Sequence, residues 1–291
     1  MILKARVKAA GRIAARILTS SSITRNVLRR ATRHGVVPRS IWMRLPVSGS
    51  VFVDVPEGKP FEYVSSPNDV IGRALFWKGV FGWEPETTTV FCRLAKDSKV
   101  FFDVGANTGL FSLLALSMNP QIRVVSFEPV PAVYDRLRDH LERNNYTERC
   151  TVRQAAVSDS PGMASFHIPD SDLPYSASLD PHGYLGISGS VVDVEVTTVD
   201  VEARHFGIPD MMKIDVEGFE DKVLEGMGHT FAKTRPTIIL ECNSDGPKEK
   251  IAKILDQFKY CYYHLQDSPV PVSTINPDPQ RKYKNFLCII E

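Results

Sequence analysis

The sequence predicts an α/β protein built on a doubly wound, mostly parallel sheet. Three observations predict it. From residue 99 onward, short continuous apolar runs alternate with amphipathic segments of helical period. The helical segments have the length of βαβ crossovers, about 10–15 residues. The composition, 43% hydrophobic and 24% charged over 291 residues, is that of a globular chain.

The elements follow in order. "KVFFDVG" (99–105) is a buried strand by its unbroken apolar character, and "LFSLLALSMN" (110–119) is a helix stopped by Pro120. "IRVVSFEP" (122–129) is the next strand. "AVYDRLRDHLERNN" (132–145) is an amphipathic helix with Val133, Leu137 and Leu141 on one face. "TVRQAAVSD" (151–159) reads as a third strand. "MMKIDVEG" (211–218) and "TIILECN" (237–243) are two more, separated by the helical "FEDKVLEGMGHTFAK" (219–233). "KEKIAKILDQFK" (248–259) is a further helix, and "KNFLCII" (284–290) closes the chain as a strand. Crossovers between parallel strands are expected to be right-handed.

Two stretches fall outside this rhythm. Residues 51–98 are aromatic-rich and read as a small cap or an N-terminal extension of the core. Residues 167–190, with three prolines and three glycines and no period, read as a substrate loop or lid.

Charge is distributed unevenly. Residues 1–53 hold eleven Lys or Arg and no acid, so a chain of +1 overall carries −10 in the remainder. Residues 1–50 are expected to form a basic arm on an acidic body. Leu3, Val7, Ala10, Ala14 and Ile17 share one helical face, with Lys4, Lys8, Arg12 and Arg16 opposite. Such a helix packs on its own domain, lies on an anionic membrane surface, or serves as a transit peptide. Nucleic acid is not an expected partner, because the arm lacks aromatics before Trp42 and the body is acidic. No apolar run approaches the ~20 residues needed to span a bilayer. Five scattered cysteines, none in a CxxC pair, support neither a disulfide framework nor a zinc site, and fit a reducing, cytoplasmic compartment.

The chemistry concentrates after the strands, where ligands of such sheets bind. "FDVGANTG" (102–109) joins a buried strand to a helix. Gly105 and Gly109 permit a tight turn, and the helix start behind them offers free N–H groups. The run Gly105-Ala106-Asn107-Thr108-Gly109 lacks one glycine of the G-x-G-x-x-G that accepts a pyrophosphate. Asp103 adds a negative charge that disfavours pyrophosphate and suits a cationic cofactor. Glu128 ends the second strand, where a carboxylate accepts both hydroxyls of a ribose. A ribose together with a positive centre describes S-adenosyl-L-methionine.

At this point the sequence resembles a known family. "FDVGANTG", "FEPVP", "AAVSD", "VTTVD", "KIDVEGFE", "VLEGM" and "RPTIILE" stand in the order and spacing of the FkbM-type methyltransferases, over about residues 90–245. The resemblance implies a Rossmann-like class I methyltransferase fold over residues 99–291. It also implies S-adenosyl-L-methionine as cofactor and O-methylation of a hydroxyl on a sugar, glycan or natural product. It implies that Asp103, Gly105, Asn107, Thr108 and Gly109 hold the amino-acid part of the cofactor and that Glu128 binds its ribose. Ala156 to Asp159 would lie near the adenine.

Asp215 and Glu217 are the expected catalytic pair; they share a face if extended geometry persists beyond Asp215. Glu220 and Asp221 read as helix-start acids, and Lys213 as an ion-pair partner of a nearby carboxylate. Asp215, Glu241 and Asn243 offer an oxygen set suited to Mg²⁺, but no metal is assigned. His167 and His182 are alternative bases. An NAD-dependent oxidoreductase and a catalytically silent binding module remain as alternative functions.

Overall fold

The computed structural model describes residues 22–169, 189–278 and 283–291. The chain divides into two compact units between Pro85 and Glu86.

The first unit contains α1 (Ser22–Arg33), α2 (Arg39–Trp42), the hairpin β1 (Gly49–Val53) and β2 (Phe61–Ser65), and α3 (Val70–Lys78). Val51 pairs with Tyr63 and Val53 with Phe61 across the antiparallel hairpin, and all four are buried. Asp69 caps α3 by accepting the Gly72 N–H at 2.8 Å, which satisfies one of the donors a helix start leaves open. The basic helix α1 lays Arg29 over the Phe76 ring at 4.8 Å, so a cation docks on an aromatic face. The amphipathic helix expected at residues 3–17 lies outside the described residues.

In the second unit, α4 (Pro85–Ala95) begins at the division. It is followed by β3 (Val100–Val104), α5 (Leu110–Met118), β4 (Arg123–Phe127), α6 (Pro131–Arg143), β5 (Cys150–Arg153), β6 (Ala155–Val157), β7 (Gly162–Pro169) and β8 (Gly189–Thr197). Then come α7 (Val199–Phe206), β9 (Met211–Ile214), α8 (Glu220–Glu225), α9 (Gly228–Lys233), β10 (Thr237–Glu241), α10 (Lys248–Gln257), β11 (Cys261–Leu265), β12 (Pro269–Val272) and β13 (Asn285–Ile289).

Eight strands form the main sheet in the order β12-β11-β13-β10-β9-β3-β4-β5. The five from β5 to β10 are parallel, and β13 enters antiparallel between β10 and β11. The doubly wound, mostly parallel sheet expected from the alternation is therefore present. β3 is buried along its whole length, as a parallel strand covered on both faces must be. Every residue of α5 is buried too, which explains why its sequence is apolar all round. Edge-to-face ring pairs pin these elements: Phe102 on Phe127 at 5.5 Å, and Phe91 on Phe101 and Phe111 at 5.1 and 5.0 Å.

Two expectations are corrected. "TVRQAAVSD" is two strands: β5 stays in the main sheet, while β6 joins β8 and β7 in a separate three-stranded sheet. The helical stretch 219–233 is two short helices, because the chain breaks at Gly226–Gly228, where a Cβ on Gly226 would meet the Ser158 carbonyl at 2.2 Å. Of the expected loop 167–190, the ends belong to β7 and β8, and residues 170–188, His182 included, lie outside the described residues. No helix of the described residues is long and apolar enough to cross a membrane.

Candidate functional site

The sheet changes winding direction beside β3. From β3 the chain steps outward to β4 and β5, then returns to β9 on the other flank of β3. The crevice for a ligand in such a sheet opens at the carboxyl ends of these two strands. Val104 and Ile214 are register partners, and the Asp215 N–H donates to the Val104 carbonyl at 3.0 Å. One residue further, Gly105 has φ +78°, and a Cβ there would come within 1.9 Å of the Asp215 carbonyl oxygen. Backbone conformation and close approach therefore both require glycine. The N–H groups of Gly105 and Ala106 both donate to the Phe127 carbonyl, at 3.1 and 2.9 Å, which stitches the turn to β4.

The rest of the turn is held from β4 and α6. Asn107, at φ +50°, donates its backbone N–H to Glu128 Oε2 at 3.0 Å, and its own Oδ1 accepts the Thr108 N–H at 2.7 Å. Asparagine tolerates this left-handed conformation better than most residues. The Nδ1–H of His140 donates to the Thr108 carbonyl at 2.7 Å. Gly109 lies against Leu137, which a Cβ would meet at 2.2 Å.

Glu128 is the hinge of this arrangement. Its Oε1 accepts the Val130 N–H at 2.9 Å while Oε2 takes that of Asn107. Burial pushes its carboxyl up to about 7, against the opposing effect of those two N–H groups. Asp103 is directed beneath α5, where Ser112 Oγ donates to it at 2.6 Å and in turn contacts Ser126 Oγ at 2.7 Å. Burial pushes Asp103 up to about 6.

Ala156 and Asp159 lie on β6 and just after it. Ala156, on β6, packs with Val130, Val133 and Phe166 in the small core of the three-stranded sheet. Asp159 pairs with Lys222 of α8 at 2.9 Å, and that hydrogen bond holds its carboxyl below the ordinary range.

At the end of β9, Lys213 Nζ donates to Asp215 Oδ2 at 2.7 Å, as expected for Lys213. The lysine is buried and sits over the Phe111 ring at 4.6 Å, while Asp215 keeps 23% of its side chain exposed. Extended geometry does not persist to Glu217: the strand ends at Ile214, and Glu217 and Gly218 take φ +53° and +103°. Asp215 and Glu217 therefore do not share a strand face, because the chain turns before the alternation reaches Glu217. The two carboxylates nonetheless remain electrostatic neighbours. Burial first, and Asp215 second, raise Glu217 above the ordinary carboxylate range. Glu220 and Asp221 do open a helix, but both are buried rather than solvated, and Asp221 pairs with Lys250 at 3.1 Å. Glu241 Oε1 accepts from Lys284 Nζ at 2.9 Å and from Asn243 Nδ2 at 3.3 Å.

Sequence reasoning missed Lys284, Ser112 and His140. Burial works against the charge of Lys284, but Glu241, Asp215 and Glu217 outweigh it and hold the ammonium above its ordinary range. Nothing local in the sequence links Lys284 to Glu241; the pairing exists because β13 enters next to β10, with Glu241 opposite Asn285. For His140 a signal was present: it stands three residues after Leu137, on the apolar face of α6.

A doubly wound sheet with a glycine turn and a strand-end carboxylate at its switch point defines the class of Rossmann-like folds that bind a ribose-bearing cofactor. The profile described as "Methyltransferase FkbM domain" matches residues 103–265, more than half of the chain, and the protein belongs to the FkbM methyltransferase family. S-adenosylmethionine is accordingly its cofactor. The family decides against an NAD-dependent oxidoreductase.

Among curated relatives, the chain is 28% identical over 184 residues to methyltransferase sdnD of Sordaria araneosa, covering 53% of this chain and 70% of that protein. It is 32% identical over 160 residues to 31-O-demethyl-FK506 methyltransferase FkbM of Streptomyces tacrolimicus, covering 44% of this chain and 59% of that one. It is 25% identical over 177 residues to hexuronic acid methyltransferase AglP of Haloferax volcanii, covering 60% and 69%. A solved methyltransferase FkbM from Methylobacillus flagellatus superposes at a TM-score of 0.44 and 16% identity, over 66% of this chain and 44% of that one.

Proposed function

We propose that the protein transfers the methyl group of S-adenosylmethionine to a hydroxyl oxygen of a small-molecule or glycan acceptor, with Asp215 and Glu217 at the reaction centre. One observation carries this reading: the backbone of Asp215 lies against Gly105 of the glycine turn, so the carboxylates that follow β9 border the cofactor crevice. The residues fit the cofactor. Each oxygen of Glu128 accepts one backbone N–H and keeps a second lone pair for a ribose hydroxyl. Gly105, Asn107, Thr108 and Gly109 hold the amino-acid portion, with Asp103 bracing the turn from beneath through Ser112. Ala156 and Asp159 border the adenine end. The cofactor, when bound, supplies a methyl group on a sulfonium, already a good leaving group.

Glu217 removes the acceptor's proton. A base raised toward neutrality suits that task, and a positioned base is worth about 10²–10⁴-fold in rate. Asp215, anchored by Lys213, orients the acceptor hydroxyl for in-line attack. Two relatives carry names that specify oxygen, the Streptomyces tacrolimicus protein and 2-O-methyltransferase NoeI of Sinorhizobium fredii, and AglP is named for hexuronic acid. Those names support a hydroxyl acceptor of sugar or natural-product type.

The protein works in the cytoplasm, a reading its five free cysteines support. Its basic N-terminal arm contacts an anionic membrane surface peripherally. In support, α1 carries Arg30 and Arg33 exposed beside Val27, and no acid occurs in residues 1–53. Co-sedimentation with phosphatidylserine vesicles tests this, and equal recovery on neutral vesicles would refute it.

The test of function is incubation with isotopically labelled S-adenosylmethionine and a panel of glycan and polyol acceptors, followed by mass spectrometry. A gain of one methyl group on oxygen is expected. Absence of calorimetric heat with S-adenosylmethionine would sink the reading, and heat without transfer to any acceptor would favour a silent binding module.

A further inference from the structure

The turn that follows β9 is strained. Glu217 and Gly218 are consecutive residues in the left-handed region. A glutamate there is uncommon, and such a conformation persists only where its surroundings over-determine it. Packing at Gly218 does not impose the shape, since an added Cβ would meet nothing within 4 Å. The contact that does impose it comes from Glu220. Its side chain folds back over the turn, and Oε1 accepts the Gly218 N–H at 3.0 Å.

Glu220 is more than a helix-start acid. It is 1% exposed, and its Oε2 has no hydrogen-bond partner among the described residues. Leaving a carboxyl oxygen buried and unmatched is costly. An acid that only complements a helix dipole serves as well in water. Asp221, one residue on, has its own partner in Lys250. Burial pushes Glu220 up to about 7, so near neutrality it is protonated in part of the population. The titratable groups around it are Asp215, Glu217 and Cys242; around Glu217 they are Asp215, Lys284, Glu220 and Lys213.

We propose that Glu220 is a positioning residue for methyl transfer: by holding the Gly218 N–H it fixes the left-handed turn that presents Glu217 beside Asp215 at the end of β9. The proposal rests on the reading of Glu217 as the proton acceptor. Among the described residues no hydrogen bond or ion pair joins Glu220 to Glu128 or to residues 105–109. Glu220 acts only through the shape of residues 215–219 and through its charge on Glu217.

The test uses the full chain with ¹³C-labelled glutamate side chains, in wild type, Glu220→Gln and Glu220→Ala, with Glu217→Gln to assign the Glu217 signal. In both Glu220 variants the Glu217 titration midpoint is expected to fall, because a group that raises it has been removed. In Glu220→Gln, which keeps an acceptor for Gly218, the Gly218 amide shift should stay near that of wild type; in Glu220→Ala it should move. Calorimetry with S-adenosylmethionine should return an unchanged affinity for both. A Glu217 midpoint that stays put in both variants overturns the proposal, and so does a Gly218 amide indifferent to both changes. If Glu220→Ala fails to fold, Glu220→Asp, whose shorter side chain cannot keep the same reach to the Gly218 N–H, decides through the Gly218 amide shift. Failure of the underlying reading looks different: Glu217 moves as expected, yet methyl transfer survives Glu217→Gln.

Discussion

Asn107 and Glu128 are joined by a 3.0 Å hydrogen bond from the backbone of one to the carboxylate of the other, across two different strand ends of the sheet. Through it, the glycine turn after β3 and the linker after β4 become one rigid rim. Because Glu128 also holds the Val130 N–H, removing its carboxylate frees two buried donors at once. Glu128→Ala is expected to cost about 1–3 kcal/mol of stability and to weaken S-adenosylmethionine binding more than tenfold, by about 1.4 kcal/mol or more. Denaturant unfolding and calorimetry measure the two effects. Wild-type affinity in the variant would remove Glu128 from the cofactor site.

Burial raises Glu128 from 4.5 to about 7. Between those values the folded, unliganded protein holds a proton that the unfolded chain has already released. Its contribution to stability is thus complete below about 4.5 and is lost as pH rises toward about 7. Cofactor binding runs the other way, since ribose hydroxyls donate to the charged carboxylate. S-adenosylmethionine affinity should therefore weaken as pH drops below about 7, by at most about tenfold per pH unit. Binding should also release protons, which calorimetry in buffers of different ionisation heat detects. A pH-independent affinity between 5 and 8 would contradict this assignment.

Two glycines of the site should respond differently to alanine. Gly105 combines φ +78° with a Cβ position 1.9 Å from the Asp215 carbonyl, whereas Gly218 combines φ +103° with open space. Gly218→Ala should cost only the conformational strain, about 1–2 kcal/mol. Gly105→Ala adds a collision with backbone that cannot move without parting β3 from β9, and should cost more than about 3 kcal/mol. Urea unfolding of the two variants side by side is the measurement, and equal losses would show that the turn relaxes freely.

The run from Val100 to Arg143 was legible in the sequence because each element there announces itself locally. A strand apolar throughout, a glycine turn, a helix apolar on all sides and an amphipathic helix follow one another with clear stops. Gly105 and Gly109, both at positive φ, were legible for the same reason. The split between β5 and β6 was not, since Gln154 interrupts "TVRQAAV" no more than a solvent-facing residue would, and only the second sheet shows that the chain has left the first. Lys284 was equally hidden. Its pairing with Glu241 spans 43 positions and depends on β13 inserting beside β10. The direction of Asp103, under α5 toward Ser112, depends on a side-chain rotamer that strand alternation does not encode.

Asp215 and Glu217 should separate cleanly under mutation, because their environments differ. Asp215 pairs at 2.7 Å with Lys213, which is only 3% exposed. Asp215→Asn removes one of the carboxylates that face that buried ammonium, Asp103 and Glu217 being the others, and should cost about 1–3 kcal/mol of stability along with turnover. Glu217 is raised by burial and by the neighbouring Asp215, so the folded state already disfavours its charge. Glu217→Gln removes that charge while keeping shape and volume, and should leave stability equal or slightly higher. Its turnover should nonetheless fall by about 10²–10⁴-fold, the usual worth of a positioned base. Single-turnover methyl transfer at saturating cofactor, read beside unfolding curves, distinguishes the two. A Glu217→Gln enzyme with wild-type turnover would leave Asp215 as the only carboxylate of the pair in the chemistry, and the acceptor's proton would then have to leave by another route.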